Sequence, residues 1–179
     1  MTKIRSMSCI SFSCISFSCI SVAALVLSAL ATPAAHAQGL VNAKRVSAEL
    51  AAEAVAAAVQ GCAEKKFSVS ATLLDFDGVQ QASLRGDGTG PENLAIANDK
   101  AYTAVTFQTD TAEIVARSRT GPVSSSFTKV PHLVLASGAI VIKVGDEVIG
   151  ALGVSGAPGG DNDALCAKAG LDKIRDRLK

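Results

Sequence analysis

Two apolar runs meeting at Gly145-Asp146 constrain this chain more than any other stretch. Ala139–Val144 is β-branched and apolar apart from Lys143, and Val148–Val154 mixes Val, Ile and Leu with Gly150 and Gly153. Runs of this kind, split by a short turn signal, read as a β-hairpin, here at the centre of a sheet. The turn needs a positive φ, which Gly145 adopts at little steric cost. Gly150 and Gly153 carry no side chain, so a ligand or a helix can approach the backbone there. The same glycines serve equally as packing devices.

The rest of the chain supplies helices and a second hairpin. Val41 to Gly61 is alanine-rich and predicts a helix with a stripe of Ala48, Ala52, Val55 and Val59, continued by Cys62 and ended by Gly61. Phe67 to Phe76 sets Phe67, Val69, Ala71 and Leu73 against Ser68, Ser70 and Thr72, the pattern of a half-buried strand. Asp77-Gly78 turns it into a return strand, Val79 to Arg85. The loop Gly86 to Pro91 is glycine-rich but lacks the Lys-Ser/Thr of a phosphate loop. Pro91 suits the first turn of a helix running from Glu92 to about Phe107. A shorter helix, Thr111 to Arg117, is capped by Thr109 or Asp110.

Gly121 to Lys129 is a Ser-rich loop, and Pro131 to Ala136 is a short strand or an approach to the hairpin. A last helix begins at Asp161 or Asn162, with Ala164, Ala167, Leu171, Ile174 and Leu178 on one stripe. Asp161 and Asp163 suit its positive end, and Lys173, Arg175, Arg177 and Lys179 its negative end. Gly156 to Gly160, opening onto that helix, has the form of an anion site, but the two aspartates oppose one and favour a capping role. Helix, hairpin, two helices, hairpin, helix is the order of an α+β fold. It implies an antiparallel sheet packed with helices in a profilin-like sandwich, not a doubly wound parallel sheet.

The N-terminus reads as an address rather than structure. Lys3 and Arg5 precede the apolar stretch Val22 to Leu30, and Ala35-His36-Ala37 is a small-x-small cleavage site. Residues 1–37 are therefore expected to be a secretory signal peptide, and residues 38–179 a single domain in the periplasm or outside the cell. Without Lys3 and Arg5, the 17 basic and 16 acidic residues become a net charge of −1, scattered along the chain. Nothing in that pattern argues for nucleic acid or a membrane surface as partner. Cys9, Cys14 and Cys19 leave with the leader. Cys62 and Cys166 remain, and an even count in an exported protein favours a disulfide over free thiols.

Residues able to carry chemistry are few. Beyond the leader there is one histidine, His132, and one tyrosine, Tyr102. A Cys/His zinc site or a Gly-x-Ser-x-Gly elbow is absent from the sequence, so a binding protein fits better than an acid–base enzyme. His132 is either a surface or structural residue, or a metal or haem ligand through neutral imidazole. Tyr102 packs, or ligates ferric haem iron. Lys100 and Arg85 are read as solvated charges able to pair with a propionate.

Asn98-Asp99-Lys100-Ala101-Tyr102-Thr103-Ala104-Val105-Thr106-Phe107 resembles the Lys-Ala-x-Thr-Ala-x-x-Phe signature of the HbpS/GlcG-like haem-binding family. Gly145 to Gly156 resembles that family's second signature, and Ala157 to Ala169 continues the likeness. The resemblance spans roughly Val41 to Leu178. Ser137-Gly138-Ala139-Ile140 departs from the Gly-Gly-x-Pro the family often carries before its hairpin. The likeness implies a helix–sheet sandwich, a homo-oligomer, and haem binding outside the cytoplasm in some members. Other members are cytoplasmic, linked to glycolate use or fused to corrinoid enzymes. Since some members hold haem through a threonine or a histidine, it also brings in Thr103, inside the first signature, and Thr111, just beyond it. Three functions follow as expectations: an exported haem-binding protein for storage, scavenging or sensing; a haem-degrading or small-acid-oxidation accessory enzyme; or a sensory oligomer for a small organic acid with haem incidental.

Overall fold

Ser47 sets where the first helix begins. Its Oγ accepts a hydrogen bond from Leu50 N at 3.2 Å, and α1 runs Ala48–Ala63 from that cap. The computed structural model describes residue 39 and residues 41–120 and 129–179. The expected leader, residues 1–37, and all of the Ser-rich loop but its last residue lie outside the described residues. Residues 41–47, expected to be helical, are irregular, with Val46 buried against the core. Gly61 does not end the helix. A Cβ there would stand 3.1 Å from Ala169 Cβ, so this glycine marks a close helix–helix contact.

The elements then follow the expected order. β1 (Ser70–Asp75) and β2 (Gln80–Arg85) form a hairpin through Gly78, at φ +77°. α2 (Pro91–Phe107) ends at Gln108 in the left-handed region, and α3 (Thr111–Thr120) follows. β3 (Ala139–Val144) and β4 (Glu147–Ser155) form the second hairpin through Gly145, at φ +62°. α4 (Gly160–Ile174) closes the fold, with one 3-10 turn at Arg175–Arg177.

The strand order is β2-β1-β4-β3, and every neighbouring pair is antiparallel. Only β4 of the second hairpin is central; β3 is an edge strand, which corrects the placement of the whole hairpin at the centre. Lys143 on β3 is exposed and suits an edge, where a charge discourages further strand pairing.

Helices cover both faces. α1 and α4 bury Val55, Cys62, Leu73, Leu152, Cys166 and Ile174 on one side, while α2 packs Ala101, Ala104 and Val105 on Leu74 and Ala151 on the other. β1 is therefore buried along its whole length, not half-buried. Its alternation records which helix layer each residue meets. The buried face of α1 is Ala51, Ala54, Val55, Ala58 and Cys62, while Ala48 and Ala52 are exposed. A helix this rich in alanine has no unique apolar stripe, so the close crossing with α4 chooses the face. At that crossing a Cβ on Gly170 would lie 2.5 Å from Ala54 O. The Cys62–Cys166 disulfide joins the same two helices across 5.4 Å between Cα atoms.

Gly150 and Gly153 are packing devices. A Cβ on Gly153 would stand 2.1 Å from Ala97 O of α2, and one on Gly150 2.3 Å from Leu74 O of β1. Gly153→Ala is expected to lower stability by about 3 kcal/mol, the upper end for overpacking, because the opposing atom is helix backbone and cannot swing away. A urea-denaturation midpoint within error of the parent protein would refute this.

Candidate functional site

α2 gathers most of the candidate residues. Asp99, Tyr102 and Thr103 lie three and four residues apart and share one helical face. The irregular segment from Pro131 to Gly138 is tied to α2 at two points. Thr103 Oγ1 donates to Asp99 O at 2.8 Å and accepts from Val134 N at 2.9 Å. Two residues earlier, His132 Nδ1 lies 2.9 Å from Asp99 Oδ1. The His132 ring meets Tyr102 edge-on, with centroids 5.9 Å apart and planes at 66°.

This arrangement leaves one imidazole nitrogen open. A neutral imidazole donating from Nδ1 to Asp99 keeps its lone pair on Nε2, the form a metal ligand takes, with the carboxylate fixing tautomer and orientation. The His132 side chain is 63% exposed, and Nε2 has no hydrogen-bond partner among the described residues. His132 also has φ +67°, a conformation uncommon outside glycine, which such sites often hold under tertiary constraint. Tyr102 is half-buried and lies across the Gly78 turn, lining a cleft of about 240 Å³ with Phe76 and Val105.

The other candidates lie elsewhere or are engaged in internal contacts. Thr103 and Thr111 are both fully buried, and both hydroxyls are engaged in internal hydrogen bonds. Thr111 Oγ1 accepts from Ala139 N at 2.9 Å and donates to Ala139 O at 3.2 Å. Asp110, with Thr109 an expected cap for α3 and directly preceding it, accepts from Val141 N through Oδ1 at 2.8 Å. Together they pin edge strand β3 to the start of α3. Arg85 ends β2 in an exposed position, with no ion pair among the described residues.

Lys100 is not a solvated charge, which corrects the expectation. It is 4% exposed, and its Nζ donates to Asp163 Oδ2 at 2.7 Å and to Val154 O at 3.1 Å. Asp163 Oδ1 accepts from Ala157 N at 2.9 Å. Burial pushes the Asp163 carboxyl above its usual range, against the opposing pull of Lys100 and the Ala157 N–H. Sequence reasoning missed Asp99 and Asp163 as partners. Asp99 sits three residues before Tyr102 on the helix, but nothing in the sequence says that residue 132 reaches it. Among the described residues there is no cluster of three or more metal-ligating side chains, and no helix is long and apolar enough to cross a membrane.

A four-stranded antiparallel sheet between helix layers, with its accessible imidazole held against α2, defines a class of small α+β sandwich with an open surface site. Residues 46–172 match the family described as haem degrading protein HbpS-like, and the chain belongs to this HbpS-like family. A crystal structure of HbpS superposes with a TM-score of 0.71 at 30% identity, covering 78% of this chain and 96% of that one. A double mutant of HbpS from Streptomyces reticuli gives the same TM-score and identity, over 79% and 95%. A PduOC:heme complex shares the fold at 21% identity and TM-score 0.67, over 73% and 96%. No curated protein matches the sequence.

Proposed function

We propose that this chain is an exported haem-binding protein that holds haem at a surface site through His132. The observation that carries the proposal is the Asp99–His132 contact at 2.9 Å beneath an exposed ring. His132 would hold the haem iron through a neutral imidazole nitrogen, and the iron would supply the redox and ligand-binding chemistry. The residues present fit it: Asp99 holds the ring's tautomer, Tyr102 lies against the ring, and Val130 is an exposed apolar neighbour in sequence. Membership of a family described by haem chemistry, and the haem complex known for a protein of the same fold, support the same reading. Thr103 and Thr111 fit less well, because a ligating hydroxyl would have to leave its backbone partners.

Export rests on the leader-like residues 1–37, and the Cys62–Cys166 disulfide is in keeping with an oxidising compartment. The homo-oligomer implied by the family belongs to the same proposal, and sedimentation of the purified protein checks it.

A haem titration followed by the Soret band tests the ligand. Saturable binding is expected in the parent protein, with His132→Ala shifting the band and weakening affinity at least tenfold, as loss of a ligand bond of about 1.4 kcal/mol or more requires. Asp99→Asn is expected to weaken binding less, since it removes only the orienting carboxylate. An unchanged Soret band in His132→Ala would remove His132 as the ligand.

A further inference from the structure

Hydrogen-bond donors remain unused beside a buried charge where α4 begins. An ammonium has three N–H donors. Lys100 directs them to two acceptors, Asp163 Oδ2 and Val154 O, and has no third partner among the described residues. Ser137 Oγ is buried and has no hydrogen-bond partner among the described residues. Both residues line one cleft of about 400 Å³, together with Arg119, Gly160 and Asp161. Gly160 is the first residue of α4, and a Cβ on it would lie 2.4 Å from Ser137 O. The positive end of the helix is therefore held against Ser137. Arg119 is exposed and makes no ion pair among the described residues.

The charges around the cleft balance, Lys100 and Arg119 against Asp163 and Asp161, so the unused donors are what favour an anion. Asp163 carries its two bonds to Lys100 and Ala157 N, leaving Asp161 as the acidic group on the lining. Arg119 shares the lining with Asp161, and the groups with unused donors are Lys100 Nζ, Ser137 Oγ and the start of α4. A buried ion pair adds little net stability over an apolar pair of the same volume, so stability alone does not account for a lysine at this place.

We infer that this cleft binds a carboxylate group, held by Lys100, Ser137 and Arg119. Two sources offer that chemistry: a propionate of bound haem, or a free small organic acid. The propionate source rests on the haem reading above; the free-acid source does not.

The test uses the purified protein with Ser137→Ala and Arg119→Gln, leaving Lys100 in place because its loss threatens folding. Thermal melting first establishes that both variants are folded. Sodium acetate is titrated calorimetrically, and haem is compared with its dimethyl ester by Soret titration. For a free acid, acetate binds saturably and about tenfold more weakly in each variant, as loss of a charge-assisted hydrogen bond predicts, while haem and its ester bind alike. For a propionate, haem binds about tenfold tighter than its ester, and both variants abolish the difference. No saturable acetate heat together with equal binding of haem and ester overturns the inference, as does binding that neither variant changes. His132→Ala separates the two readings: it is expected to alter the Soret band and leave acetate binding intact. If haem fails to bind while acetate still titrates, the haem reading falls and the carboxylate cleft stands.

Discussion

Lys100→Met is expected to destabilise the protein by about 3–5 kcal/mol at neutral pH, because it leaves the Asp163 carboxylate buried without its counter-charge. The two side chains are 5% and 4% exposed, so water cannot replace the missing partner. Asp163→Leu alone strands the ammonium in the same way and also leaves the Ala157 N–H without its acceptor. The double variant Lys100→Met/Asp163→Leu is expected to cost less than the two single changes summed, since it removes both charges. Urea denaturation of the three variants gives the coupling directly. Additive losses, or single losses below about 1 kcal/mol, would mean that the pair is not the structural charge contact described here.

The loss should also depend on pH, with a definite sign. Removing Lys100 leaves burial, which raises the Asp163 carboxyl, less opposed. A carboxyl whose pKa is higher in the folded than in the unfolded chain favours folding when protonated. That contribution is full below the unfolded value of about 3.9 and is lost as pH rises through the folded value. The gap between Lys100→Met and the parent protein should therefore be widest at pH 7 and narrow as pH falls towards about 4. A gap that widens on acidification would contradict this account.

Loss of the disulfide is the second large effect. Cys62 and Cys166 are 104 residues apart in sequence and both fully buried. Opening a loop of this length frees the unfolded chain enough to cost about 4–5 kcal/mol in the chain-entropy account. For a domain of this size that corresponds to a fall in melting temperature on the order of 10–15 °C. Cys62→Ala/Cys166→Ala, or the parent protein melted with reductant, should show it. The bond staples the last turn of α1 to the middle of α4, where small residues let the helices approach. Its loss should therefore loosen that layer before the α2 face. Alkylation of the denatured, unreduced protein should label neither Cys62 nor Cys166; labelling of both would reject the bond.

Much of the fold was legible because its signals are local. Asp77-Gly78 and Gly145-Asp146 are turn signals that act within four residues, and each sits at the head of its hairpin. The apolar stripe of α4 repeats at helical spacing, and Ala167, Leu171 and Ile174 of that stripe are buried. The first helix was misread in detail. Alanine suits every face, and its true start needs the Ser47 cap, which a run of good helix formers conceals. The edge position of β3 was not legible either, since strand order depends on which hairpins meet, and each hairpin looks alike in isolation.

The site was less legible than the fold. His132 and Tyr102 stood out because each is the single residue of its type among residues 38–179, and the structure brings their rings together. Asp99 is 33 residues from His132, and Lys100 is 63 from Asp163, so neither pairing has a sequence signature. Thr103 and Thr111 share the polar chemistry a ligand would need, and only the tertiary structure shows that their hydroxyls bond backbone groups of distant segments.

The sequence by itself determined the order of helices and hairpins, the glycine turns and the family, because each depends on short-range backbone preference or a contiguous signature. Tertiary structure alone decided which charges are buried, which hydroxyls are occupied and which imidazole is open. Those properties arise where segments distant in sequence meet, and there burial and hydrogen-bond completion, rather than residue type, set what a side chain can do.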